Sequence, residues 1–194
     1  MFARLFELLL SLLSKFSKKK PTIAEPLPTY TPTPEPVKRP AGKGAAIGGV
    51  AGAATIAAIV AFIGPWEGRR YTAYQDIVGV WTICEGHTKG VKAGDVATDA
   101  QCDEMAAQDV AEHNAGIRAC ITRPMPQNVE IAFTSLAFNA GVGAFCGSTA
   151  LKRYNAGDDT GACDALNMWV RAGGKVVKGL VNRRAAESAL CKKD

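Results

Sequence analysis

Hydrophobic and polar positions sort the 194-residue chain into four stretches. Residues 1–20, MFARLFELLLSLLSKFSKKK, are an amphipathic run rich in Leu and Phe that closes on Lys18, Lys19 and Lys20. The pattern suits a helix lying on a membrane surface with a basic flank; a tail with some helix propensity fits equally. Glu7 interrupts the apolar part and no small-residue cleavage site follows, which argues against a removable secretion signal. Residues 21–43 read as a linker. Seven of the ten prolines fall between positions 21 and 40 and favour an extended spacer over a helix.

From Gly44 to Gly64 no residue is charged, and Thr55 is the one polar side chain. A helix of about 20 residues spans a bilayer core of about 30 Å, so this stretch predicts a membrane helix. Lys38, Arg39 and Lys43 precede it and would hold the N-terminus in the cytoplasm, sending the following body outward. Eight Ala and five Gly leave the span weakly apolar, with Ile47, Val50, Ile56, Ile59, Val60, Phe62 and Ile63 carrying most of its hydrophobicity. Gly44, Gly48 and Gly52 recur at a spacing that permits close packing on another helix or on protein. A permanent anchor that dimerises through this ridge is one alternative to a weakly held one, and a buried core helix of a soluble protein is another, disfavoured by twenty-one residues without a charge.

After Pro65 the pattern changes again. Trp66 to Tyr74 read as a short helical or turn segment leading into Asp76, and residues 77–88 alternate around Gly79 and Gly86 as a small antiparallel hairpin would. Thr98 is a good N-cap, beyond which the helical period predicts helices over about 98–114, 127–138, 145–155, 158–171 and 180–191. A small antiparallel sheet lobe followed by a larger helical lobe is an α+β arrangement, with a cleft expected between the two. The expected organisation is therefore an amphipathic segment over 1–20, a linker over 21–43, a membrane helix over 44–64 and a folded domain over 65–194.

Charge changes this picture little. Residues 1–43 hold eight Lys/Arg against three Asp/Glu, while the rest of the chain balances. The basic excess thus belongs to the N-terminal arm. With no aromatic-interleaved basic patch and no glycine-rich phosphate loop, nucleic acid is not an expected partner. Cys84, Cys102, Cys120, Cys146, Cys163 and Cys191 all follow the apolar stretch. An even number on one side of a possible span suits disulfides in an oxidising compartment; buried free thiols in a cytosolic domain are the alternative. No CxxC spacing and only two histidines occur, so neither a zinc site nor another cofactor is expected. Six cysteines allow fifteen pairings, and the spacing does not choose among them.

The candidate chemistry sits at the junction of the apolar stretch and the body. Cleaving a glycosidic bond needs one protonated carboxyl group and one carboxylate that activates water or stabilises positive charge on the sugar. Glu67 follows Trp66 and an apolar segment, surroundings that favour a protonated acid. Asp76, in a more polar stretch, suits the ionised role, and Thr82 is placed to help hold a water molecule. The spacing of these three alone is weak evidence.

The surroundings add more. EGRRYTAYQD followed by GVWTICEGHT resembles the catalytic hairpin of the phage-type lysozymes, glycoside hydrolase family 24. That pattern is Glu, eight residues, Asp, five residues, Thr, then a Gly-His-Thr turn, met here by Glu67, Asp76, Thr82 and Gly86-His87-Thr88. FNAGVGAFCGSTALKRYNAGD and WVRAGGKVVKGLVNRRAAESALC resemble the helical lobe and C-terminal signature of the same family. The resemblance covers residues 64–194. It implies a lysozyme-like fold, Glu67 as general acid, Asp76 as the base that positions water and Thr82 as its assistant. It also implies hydrolysis of the β-1,4 bond between N-acetylmuramic acid and N-acetylglucosamine in peptidoglycan. One departure is Cys84-Glu85, where many members carry small residues; it bears on the shape of the cleft and on whether Cys84 is paired.

The Ala/Gly-rich span resembles that of the signal-anchor-release endolysins of phages infecting Gram-negative bacteria. This implies the inner membrane as a partner through residues 44–64, the host secretion machinery as another, and a periplasmic catalytic domain. The basic, proline-rich residues 1–43 depart from the usual short cytoplasmic start, and drawing them across a bilayer would be costly. Two rivals stay open: a virion-associated or prophage-derived lysozyme that opens the wall locally, and an inactive anchored wall-binding protein. Among the remaining residues, His87, Arg183, Arg184, Trp81 and Trp169 read as structural, while Asn139 and Gly141 are weaker candidates for the cleft wall.

Overall fold

Ala53 to Glu67 form one helix, α1, in the computed structural model, which describes residues 51–76 and 78–193. The expected amphipathic run, the linker and the first part of the apolar stretch, with Gly44 and Gly48, lie outside the described residues. Helix α1 crosses the expected boundary at 64/65 without a break and stops at Gly68, whose φ of +70° is a conformation that glycine adopts at little cost. Its larger side chains point one way. Ile56, Ile59 and Ile63 are buried with Val110, with Ala107, Ala111, Ile131 and Phe138 packed around them. Ala53, Ala54, Ala57 and Ala61 face solvent. The alanines, which contribute little transfer free energy, lower the cost of wetting the outer face of the helix. Among the described residues no helix is long and apolar enough to cross a membrane.

Past Gly68 the chain turns into strand β1, Arg70–Gln75, which pairs antiparallel with β2, Trp81–Cys84. The helical or turn reading of Trp66 to Tyr74 is corrected here: α1 ends at Glu67, and the sequence RYTAYQ, with two Tyr and a Thr, goes to the sheet. The register places Tyr74 opposite Thr82 and Gln75 opposite Trp81. The Asp76 amide donates to the Val80 carbonyl at 2.9 Å, and Gly79, at φ +82°, closes the turn.

Helix α2, Asp99–Arg118, begins at Thr98 with a capping box: the Thr98 hydroxyl accepts from the Gln101 amide, and the Gln101 side chain accepts from the Thr98 amide. Then follow α3 (Gln127–Ala140), α4 (Val142–Cys146), α5 (Thr149–Asn155) and α6 (Asp159–Ala165). A 3-10 turn (Leu166–Met168), a two-residue hairpin of β3 (Arg171–Ala172) and β4 (Lys175–Val176), and α7 (Lys178–Cys191) complete the order. The helix expected over 145–155 is split, because Ser148 caps a new helix by accepting from the Leu151 amide at 3.1 Å. The helix expected over 158–171 ends early, and the Gly173-Gly174 break proves to be a hairpin turn, with φ of +55° and +77°.

The main core surrounds α3. Phe133, wholly buried, packs its ring 5.1 Å from Phe145 and 5.3 Å from Tyr154, with Ile117, Leu136 and Leu166 completing the centre. Three disulfides clip the rest to it: Cys84–Cys102, Cys120–Cys146 and Cys163–Cys191. Each closes a short loop in the unfolded chain, worth about 3 kcal/mol by chain entropy. The first fastens the hairpin lobe to α2. The architecture is α+β, with a small antiparallel sheet against a larger helical body, as expected.

Candidate active site

Glu67 is the last residue of α1 and about one-fifth of its side chain is exposed. It lines a cleft of about 360 Å³ between the hairpin side, with Glu85, Gly86 and Lys89, and the helical side, with Asp109, His113, Phe138 and Asn139. The apolar pocket expected around Glu67 is not what the fold supplies. Its Oε1 instead accepts a hydrogen bond from Arg183 Nη1 at 2.5 Å. Such a charge-assisted bond fixes the carboxyl group more tightly than apolar contact would.

Arg183 is itself held from behind. Its Nη2 donates to the Ser135 carbonyl at 3.1 Å and its Nε to Glu187 Oε1 at 3.2 Å. Glu187 is completely buried and also accepts from the Ser135 hydroxyl at 2.6 Å. Arg184 Nε stands 3.2 Å from Glu187 Oε2, close enough to pair charges though misaligned for a hydrogen bond, and Arg184 Nη2 donates to Asn139 at 3.0 Å. Burial pushes the Glu187 carboxyl upward, against the pull of the two guanidiniums. Two buried arginines, Glu187 and Glu67 thus form one chain of contacts from the core to the cleft. Arg183 and Arg184 play the structural part expected of them, and Asn139 reaches the cleft wall. The tie from Arg183 to Glu67 spans 116 positions and left no mark in the sequence.

Asp76 and Thr82 share the β1–β2 hairpin. Asp76 Oδ1 accepts from the amides of Val78 and Val80 at 2.9 and 2.8 Å, which locks the carboxylate over the turn. Thr82 is buried, and its hydroxyl donates to the Val80 carbonyl at 3.0 Å. Val80 is therefore the common partner that brings the two together. Glu67 stands apart from them on α1, facing the cleft on which Glu85 and Gly86 carry the far end of the same hairpin.

His87 closes that end. Its Nδ1 lies 2.8 Å from Asp109 Oδ2 and its Nε2 lies 3.1 Å from the Lys89 carbonyl. Both partners are acceptors, which favours the doubly protonated ring, and the His87 pKa is raised, chiefly by the hydrogen bond to Asp109. Cys84, whose pairing was open, is bonded to Cys102 and has the one positive φ (+57°) among the described non-glycine residues.

Residues 64–187 match the phage lysozyme family. The chain belongs to that family. Among its relatives, the SAR-endolysin of Pseudomonas phage phiKMV is 47% identical over 130 residues, covering 64% of this chain and 80% of that protein. The SAR-endolysin of Enterobacteria phage P21 is 44% identical over 126 residues, covering 64% and 76%. The muramidase domain of SpmX from Asticaccaulis excentricus superposes with a TM-score of 0.67 at 32% identity, over 71% of this chain and 96% of that one. Membership of the phage lysozyme family makes the protein a lysozyme-type glycosidase.

Proposed function

We propose that this phage lysozyme is an endolysin with muramidase activity, hydrolysing the β-1,4 bond between N-acetylmuramic acid and N-acetylglucosamine of peptidoglycan. The observation that carries the reading is the placement of Glu67, held by Arg183 at the closing turn of α1 and facing the cleft between the two lobes. In this reading Arg183 orients one carboxyl oxygen and the other carries the proton to the glycosidic oxygen. Filling the cleft with glycan expels water, which favours the protonated acid. Asp76, its orientation fixed by two amides, positions the attacking water, and Thr82 supports it through the hydrogen bond to Val80. An inverting reaction needs the two carboxyl groups about 6.5–9.5 Å apart to admit that water. Replacing Glu67→Gln tests the assignment: turnover of purified peptidoglycan should disappear while the fold persists, and unchanged turnover would sink it.

The same reading places the protein in the host inner membrane through residues 44–64, translocated by the host secretion machinery and later released to the periplasm. Support comes from the names of the two phage relatives, from Lys38, Arg39 and Lys43 before the span, and from α1 itself. Its large side chains have a protein surface to pack on and its alanines tolerate water, so one sequence serves both a bilayer and a folded body. Because Glu67 belongs to that helix, docking of the apolar segment sets the general acid in place. Fractionation before and after membrane depolarisation tests release: movement into the soluble periplasm supports it, and retention in the membrane favours a permanent anchor.

A further inference from the structure

Packing alone does not fix the end of α1. Beside Val60, Ile63 and Gly64 lies a partly open pocket of about 210 Å³, lined also by Val110, Phe138, Arg69 and Glu85. Close packing resists movement because every displacement meets an atom, and this partly open pocket leaves one flank of the last two turns without such contacts. Gly68, with open space where a Cβ would stand, gives the backbone further freedom right after Glu67. Arg183 fixes the Glu67 carboxyl group, and the backbone that carries it needs a hold of its own.

Arg69 supplies the hold. Its three terminal nitrogens go to three carboxylates on two different elements: Nε to Glu85 Oε1 at 2.5 Å, Nη1 to Asp99 Oδ1 at 2.8 Å and Nη2 to Asp103 Oδ1 at 2.6 Å. Glu85 belongs to the hairpin lobe, Asp99 and Asp103 to the first turns of α2, and the Cys84–Cys102 disulfide stitches the two together one residue away on each side. Glu85 is nine-tenths buried, lines both the pocket and the cleft, and has an Oε2 without a hydrogen-bond partner. A carboxylate so placed is tolerated because Arg69 neutralises it.

We propose that Arg69 is a positioning residue for Glu67, with Glu85 as its anchor on the hairpin lobe. Two guanidiniums then bracket the general acid: Arg183 touches its carboxyl group, and Arg69, two residues on, sets the backbone that carries it. This rests on the muramidase reading above. When α1 docks, formation of the Arg69 clasp is the step that registers Glu67 against the hairpin bearing Asp76 and Thr82.

The test compares full-length protein with Arg69→Met, Arg69→Lys, Glu85→Met and the double Arg69→Met/Glu85→Met variant, following peptidoglycan turnover and thermal unfolding. A displaced catalytic group costs about 10–100-fold in rate, so Arg69→Met should lose that much kcat with KM within about twofold. Arg69→Lys should recover part of the loss. The double variant separates positioning from mere charge balance. Glu85 is the buried one of the three partners, and leaving it unpaired is the main cost of removing Arg69, so the double variant's melting temperature should return toward that of the parent while kcat stays low. Full recovery of kcat in the double variant, or undiminished kcat in Arg69→Met, would overturn the proposal. An inactive parent protein would instead overturn the muramidase reading, and the inference with it.

Discussion

Arg183, on the last helix, donates to Glu67, the last residue of the first described helix, at 2.5 Å. The contact joins the two ends of the folded body at the cleft, and it is backed by a buried set of Ser135, Arg184 and Glu187. Replacing Arg183→Met should therefore act twice. Glu67 loses its orienting partner, and buried Glu187 loses one of its two cations. Breaking a buried charge pair outright costs about 3–5 kcal/mol; with Arg184 still beside Glu187 the loss should be smaller, and urea denaturation would measure it. Turnover per folded molecule should fall about 100-fold or more. Loss of stability without that fall would show the bond to Glu67 to be incidental.

The His87–Asp109 pair predicts a pH dependence of stability. His87 gains a carboxylate on folding, so its pKa in the folded protein lies above its unfolded value of 6.5. A raised pKa means the folded state binds the proton more tightly. The resulting stabilisation is fully present below pH 6.5 and is lost as the pH rises through the folded value. Melting temperature should decline across that window, and Asp109→Asn should flatten the decline. A profile that is the same for Asp109→Asn and the parent protein would show the pair to carry no linkage.

Much of this was legible in the sequence, for reasons specific to each element. The Thr98 cap and the α3 helix follow from local signals, and local signals survive folding. The β1 strand was hidden because Glu67 and Gly68 end a helix just before it, and a polar run after a helix reads as its continuation. Neither the Arg183–Glu67 bond nor the Arg69 clasp could be read, since each depends on which distant segments meet. The disulfide pairing was open for the same reason. Glu85 left a trace as a departure from the family pattern, a buried carboxylate where small residues are common, but its partner Arg69 left none.

Cys84 offers a separate test of strain. Its φ of +57°, in the tight turn closed by the Ile83–His87 bridge, is a conformation that L side chains resist at a cost of about 1–2 kcal/mol. Breaking the bridge with Cys84→Ser/Cys102→Ala should cost about 3 kcal/mol. Cys84→Gly/Cys102→Ala should cost about 1 kcal/mol less, because glycine adopts the positive φ readily. Chemical denaturation of the two double variants gives the difference directly. Equal stabilities would mean that the backbone relaxes once the bridge is gone.

The two faces of α1 make opposite predictions. Ile59 is fully buried against the body, so Ile59→Ala should destabilise the soluble protein by about 2–5 kcal/mol through lost burial and a cavity. Ala57 faces solvent, and Ala57→Ser should change stability by less than about 0.5 kcal/mol. If docking also places Glu67, Ile59→Ala should lower peptidoglycan turnover more than its stability loss accounts for, because the helix that loosens ends on Glu67, the proposed general acid. Removing residues 1–64 altogether should then leave a poorly active body. Full activity of the body beginning at Pro65 would separate Glu67 from the helix before it, leaving the Arg69 and Arg183 contacts to position the acid unaided.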